Sequence, residues 1–284
     1  MTDRVAVVTD STADMAAGRA DALDVRVVPL RVMVGSSASV DGDITPSDVA
    51  RALRERKRVT TSRPSPAEFA ATFQSCLDAG ASRVVSVNIS AALSGTWEAA
   101  VLASQDFPHG VVRVIDSRST AAGLGFAVLA AAEVAAAGGS AAEVQGAATA
   151  TIDRTKTMFY VDTLEYLRRG GRIGSASALL ATSLSVKPLL QMVEGQIVAL
   201  EKVRTTSKAM ARLVQLATEA AGDGPVDIAV HHLAAEARAA VTAAQLASAL
   251  PKAESVRVAE LGAVISAHLG PGVIGIVLAR RSGG

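Results

Sequence analysis

The stretch RVVSVNISAALSGTWEAAVLASQDFPHGVVRVID, Arg83 to Asp116, decides the fold class. It opens on a short apolar run rich in β-branched residues and closes on a second one. Both read as buried strands. Between them SGTWEAAVLASQ, Ser94 to Gln105, reads as a helix. Outward from this unit the alternation continues. On the N-terminal side RVAVVTD (4–10) and VRVVPLRVMV (25–34) are strands. TPSDVARALRERK (45–57) is a helix started by Thr45 and Pro46. SPAEFAATFQSCLDAG (65–80) is another, with Ser65 as cap, Pro66 first, Glu68 closing a capping box and Gly80 at its end. On the C-terminal side AAGLGFAVLAAAEVAAAGG (121–139) is a buried helix, and Ser140 with Glu143 caps the next. Strands alternating with helices predict an α/β domain whose mostly parallel sheet is covered on both faces.

The pattern changes after Asp153. KTMFYVD (156–162) is a strand, followed by short helices around glycines in LEYLRRGGRIGSASALL (164–180). VKPLLQMVEGQIVALEKVRT (186–205) reads as a β-hairpin turning at Glu194-Gly195. The rest alternates: helix 207–222, strand 226–233, helix 235–250, strand 255–261, strand 272–280. This predicts a second α/β domain with a mixed sheet. The expected division is residues 1–155 and 156–284.

Composition narrows the function. Of 284 residues half are hydrophobic and only 3% aromatic, so the core is aliphatic. A formal net charge of +1 gives no support for a nucleic-acid binder. The single cysteine, Cys76, rules out a disulfide framework and fits a reducing cytoplasm. The start lacks the long apolar core of a signal peptide. The charge-poor stretch 261–279 contains His268 and Gly270-Pro271-Gly272 and reads as helix, turn and strand rather than a membrane span.

Ligands of open α/β sheets bind beyond the carboxyl ends of the strands. Here those ends carry hydroxyls: Asp10-Ser11-Thr12, Ser90, Ser94-Gly95-Thr96, Asp116-Ser117, and the loop Thr60-Thr61-Ser62. Such residues are preferred helix caps, but several hydroxyl loops along one edge also suit an anion such as a carboxylate or phosphate. Arg168 and Arg169 are expected to face solvent. Arg172, after a Gly-Gly pair, either aims into a cleft or serves as a structural arginine. Arg204 either lays its stem on an apolar surface or ends a solvated strand. His268 is read as either structural or site-forming. There is no Walker sequence, no complete dinucleotide fingerprint, no metal-ligand spacing and no nucleophile elbow. No cofactor and no metal are expected.

The motifs VTDSTADM, TTSRPSPAEF, SAALSGTWEAA, VIDSRSTAAGLG, YLRRGGRIG, LLQMVEGQIVALEKVRT and HLGPGVIGI, in this order, resemble the DegV family, the fatty-acid-binding subunits of bacterial fatty acid kinase. The resemblance implies two α/β domains with a ligand tunnel between them. It implies a cytoplasmic carrier, not an enzyme by itself, that holds one long-chain fatty acid. A separate ATP-binding kinase subunit would phosphorylate the carboxylate to an acyl phosphate, with only transient membrane contact. By motif match Thr61, Ser62 and Ser94 bind the carboxylate, and Arg172, Arg204 and His268 line the head-group region. Ile173, Leu179, Leu180, Leu184, Leu189 and Leu190 are candidate walls for the tail, and ordinary core packing accounts for most of them equally well. The sequence departs from the pattern at Arg63, where Gln is frequent, and at Trp97, where Tyr is usual. Two competing readings are a lipid hydrolase using Ser94 and His268, and a binder of a phosphate-containing metabolite.

Overall fold

The computed structural model describes residues 4–181 and 187–281. The chain divides into two compact units. The first takes residues through Arg31 together with Ser62–Asp153, and the second takes Val32–Thr61 and Arg154 onward. Elements are numbered along the chain.

The first unit holds a four-stranded parallel sheet of β1 (Val5–Asp10), β2 (Arg26–Val28), β6 (Arg83–Asn88) and β7 (Val112–Asp116), in the order β2-β1-β6-β7. Its helices are α1 (Arg19–Ala22), α3 (Pro66–Asp78), α4 (Thr96–Ser104), α5 (Ala122–Ala136) and α6 (Ala141–Arg154). Strand side chains alternate between faces, and neighbouring residues therefore enter different cores. Val7, Val85 and Val87 pack with Leu124, Val128 and Val144 of α5 and α6. Val8 and Val84 pack with Phe69, Phe73 and Ala99 of α3 and α4. The capping box at Ser65 and Glu68 forms as the sequence predicts.

The second unit has a six-stranded mixed sheet of β8 (Thr155–Tyr160), β9 (Lys187–Val193), β10 (Gln196–Val203), β11 (Val226–His232), β12 (Ala253–Glu260) and β13 (Ile274–Arg280). Its order is β10-β9-β8-β13-β11-β12. Only β11 and β12 run parallel; the other neighbours are antiparallel. β9 and β10 form the expected hairpin, with Glu194 (φ 46°) and Gly195 (φ 77°) at its turn. Positive φ at both central residues matches the right-handed twist of the flanking strands. Helices α8 (Thr206–Ala221) and α9 (Glu236–Ala249) cover one face, over Tyr160, Leu189, Ile228 and Ile276. Short segments complete the unit: α7 (Glu165–Arg169), a 3-10 helix (Gly174–Ala181) and α10 (Ala263–Leu269). No helix among the described residues is long and apolar enough to cross a membrane.

Three expectations change. The run 25–34 is not one strand. Proline lacks an N–H and interrupts a ladder, so β2 stops before Pro29 and β3 (Arg31–Val34) begins after it. Thr60, Thr61 and Ser62 lie in a strand, β5 (Val59–Ser62), rather than a loop. With β4 (Ser37–Val40) and β3 it makes a three-stranded sheet of order β4-β3-β5. Finally, Val32–Thr61 does not belong with the first 155 residues. Its helix α2 (Pro46–Arg54) packs against α10, and that contact draws the excursion into the second unit.

Candidate functional site

In the second unit the local sequence sets a ring beside a threonine and a guanidinium. His268 ends α10, and its Nε2 is 2.8 Å from Thr61 Oγ1 on β5. Gly170 makes this possible. A Cβ there would lie 2.2 Å from His268 Nδ1, so no larger residue fits without displacing the ring. Gly270 (φ 74°) likewise yields to the Tyr166 ring, 2.0 Å from where its Cβ would stand. Arg172 is half-buried and donates from Nη1 to Gly170 O at 2.6 Å. The guanidinium and the imidazole thus bracket one glycine.

Burial, and secondarily the Arg172 charge, push the His268 pKa down to about 4. The ring is neutral at physiological pH. Its Nδ1 is buried without a partner among the described residues. A bare acceptor is tolerated in a protein interior more often than a bare N–H, which places the ring proton on Nε2. Nε2–H then donates to Thr61 Oγ1, and the Thr61 hydroxyl proton is left to donate to a ligand.

Arg168 and Arg169 face solvent, as expected, and both pair with Glu165. Chiefly through Arg168, they lower the Glu165 pKa to about 2. Arg204 is exposed just past the end of β10. Among the proposed walls, Leu179 and Leu190 are buried and Ile173 is half-buried. Leu189 packs into the core beneath α8 and α9. Leu184 and the Leu180 side chain lie outside the described residues.

In the first unit Ser94 precedes α4. Its Oγ lies 2.8 Å from Thr96 Oγ1 and accepts from Thr96 N at 3.3 Å. Arg63 donates to Gly95 O at 2.9 Å and pairs with Glu98 at 3.0 Å, so its charge is spent pinning the Ser94-Gly95-Thr96 turn. Ser62 is half-buried at the end of β5. The structure therefore groups Thr61, Arg172 and His268 around Gly170 and sets Ser62 and Ser94 in the other unit, with Arg204 on the surface.

Sequence reading passed over the organising role of Asp10. This carboxylate is fully buried at the end of β1. One oxygen accepts from Thr12 N (3.0 Å) and Thr12 Oγ1 (2.5 Å), the other from Ile89 N (2.7 Å) and Asn88 Nδ2 (3.4 Å). Desolvation raises its pKa, and the hydrogen bonds oppose that rise. Asp10 thereby ties the β1 loop to the segment that leads through Ser90 to Ser94. An aspartate ending an apolar strand was the available signal.

The sequence profile of the DegV family matches residues 4–281. The chain belongs to the DegV family. A DegV domain-containing protein of Streptomyces coelicolor is 50% identical over 282 residues, covering 99% of this chain and 100% of that protein. A solved DegV family structure from Thermus thermophilus, described as fatty-acid binding, superposes with a TM-score of 0.93 at 36% identity, covering 98% of this chain and 100% of that one. Bacillus subtilis DegV, described as a fatty acid binding protein, gives a TM-score of 0.89 at 30% identity, covering 98% and 99%. Among the described residues of this DegV protein no group of three or more His, Cys, Asp or Glu side chains is placed to hold a metal.

Proposed function

We propose that this DegV protein is a cytoplasmic carrier that holds one long-chain fatty acid and presents its carboxylate to a separate ATP-binding kinase subunit. The observation that carries the fatty-acid part is the likeness to the Thermus thermophilus fatty-acid-binding structure over nearly the full chain. The kinase part rests on the family resemblance of the sequence. Thr61, Ser62, Ser94, Arg172, Arg204 and His268 are the proposed carboxylate-binding residues. A carboxylate in apolar surroundings tends to protonate, because desolvation disfavours its charged form. Arg172 keeps it ionised, since a guanidinium stays charged at all relevant pH. The Thr61 hydroxyl, oriented by neutral His268, adds a donor. Phosphorylation requires the carboxylate oxygen as nucleophile, and positive charge offsets the negative charge that accumulates there. Affinity comes from the tail: each buried methylene contributes ~0.8 kcal/mol, against ~1.5–3 kcal/mol for a hydrogen bond to a charged group.

The hydrolase alternative is not favoured. Ser94 Oγ pairs with Thr96 Oγ1, and His268 engages Thr61.

The test combines native mass spectrometry with a kinase-coupled assay. The parent protein should carry one intact fatty acid and support acyl-phosphate formation only when kinase and ATP are both present. Arg172→Ala should retain much of the binding and lose most of the turnover. Absence of any bound fatty acid ends the carrier reading. Acyl-phosphate formation without the kinase ends the division of labour.

A further inference from the structure

The two glycines beside His268 form a reciprocal clasp. Gly170 closes α7, and the atom nearest its missing Cβ is His268 Nδ1, 2.2 Å away. Gly270 closes α10, and the place of its missing Cβ is taken by Tyr166 of α7, whose ring carbons Cδ2 and Cε2 lie 2.0 and 2.3 Å from it. Thus α10 lays a ring on the glycine that ends α7, and α7 lays a ring on the glycine that ends α10. The half-buried Tyr166 makes the Gly270 contact with ring carbons and not with its hydroxyl. Its carbonyl accepts from Gly170 N at 2.9 Å, so the residue that supplies one ring also ties down the glycine that receives the other.

One such contact alone would leave α10, a helix of seven residues, free to roll. His268 and Gly270 are two positions apart, and pinning both fixes the roll of the helix and its height against α7. The bond from His268 Nε2 to Thr61 Oγ1 is 2.8 Å long. A displacement of the ring by about half an ångström takes such a bond out of its favourable range. We infer that Tyr166 is a positioning residue: its ring, seated on Gly270, holds His268 against Gly170 and so orients the Thr61 hydroxyl for the carboxylate. For its ligand this rests on the fatty-acid reading; the clasp itself lies within the protein.

Two measurements on the full-length, lipid-free protein test it. Nitrogen-15 spectra of the imidazole nitrogens read His268 directly, and His268→Gln marks its signals among the four histidines. A ring held as the Nε2–H tautomer gives two widely separated nitrogen shifts, whereas a released ring gives averaged ones. The parent and Tyr166→Phe should show the separated pair, and Tyr166→Ala should move both shifts towards the average. The second measurement is the affinity ratio of oleic acid to oleyl alcohol, which share a tail and differ at the head. Tyr166→Ala should lower this ratio roughly tenfold or more, the loss expected of one hydrogen bond to a charged group, and the conservative Tyr166→Phe should recover it to within about twofold. In the His268→Gln background Tyr166→Ala should lower it by no more than about twofold further, because two residues acting through one contact are not additive. Thermal melting verifies folding. Where Tyr166→Ala is unfolded, Tyr166→Leu, which keeps apolar bulk without the flat ring, takes its place; unfolding of both overturns the positioning role in favour of stability alone. Averaged shifts in the parent, or unmoved shifts in a folded Tyr166→Ala, also overturn it. So does a Tyr166→Phe variant that behaves like Tyr166→Ala, or an equal loss of preference with His268 and with Gln at that position. A parent that binds oleic acid no better than the alcohol defeats the carboxylate reading instead, and the His268 shifts then still decide the clasp.

Discussion

His268 is kept neutral by its surroundings, and this has a consequence for stability. Its pKa falls from the ordinary 6.5 to about 4, through burial first and Arg172 second. Between those values the unfolded chain accepts a proton that the folded state refuses. Stability therefore rises with pH across this window and is lost as pH falls from about 6.5 towards 4. Each pKa unit is worth ~1.4 kcal/mol. The ring is half-buried, so with solvent screening the whole effect is on the order of 2 kcal/mol. Urea unfolding of the parent and of His268→Gln, which keeps an amide near the Nε2 position, isolates it. The stability advantage of the parent should shrink as pH drops from 7 to 4.5. Parallel pH profiles for the two proteins would show that the ring does not titrate in this way. Gly170 belongs to the same argument, because the ring reaches Thr61 only where a Cβ is missing.

Elements are held in register by Asp10, whose acceptors serve the ends of both β1 and β6. Asp10→Ala would leave the Thr12 and Ile89 amides buried without partners, at ~1–3 kcal/mol for each unsatisfied group. The expected loss is roughly 2–4 kcal/mol by chemical denaturation, with faster hydrogen exchange at Thr12 and Ile89 than in the parent. Unchanged exchange at both amides would mean that the loops do not depend on this carboxylate. Legibility in the sequence follows the same division between local and distant partners. The strands at Arg4–Asp10 and Arg83–Asn88 and the turn at Glu194-Gly195 were readable, because apolar runs and turn residues are local signals. The excursion Val32–Thr61 was not. An apolar run spans Pro29, and which sheet a three- or four-residue strand joins depends on pairing far along the chain. Thr61, Arg172 and His268 were picked out by family motif, but what holds them was hidden. Arg63 shows why: its partners Gly95 and Glu98 lie 32 and 35 residues on, and nothing local announces them.

At the scale of the whole molecule, the proposed ligand couples occupancy to stability. A molecule that binds the folded state alone stabilises it by RT ln(1 + [L]/Kd), about 2.7 kcal/mol at a hundredfold excess over Kd. The size of this effect distinguishes a tail-driven site from a head-driven one. Stearic and decanoic acid carry the same carboxylate and differ by eight methylenes. At ~0.8 kcal/mol each, full burial of the longer tail would favour stearic acid by roughly 6 kcal/mol. At equal free concentrations below the micelle threshold, stearic acid should raise the thermal midpoint of the lipid-free protein by several degrees. Decanoic acid should leave it nearly unmoved, and ATP without a kinase should do nothing. The measurement is differential scanning calorimetry of one lipid-free preparation with each ligand in turn. Equal stabilisation by both acids would assign the affinity to Thr61, Arg172 and their neighbours and take it away from the tail. Stabilisation by ATP alone would contradict the separation of carrier from kinase.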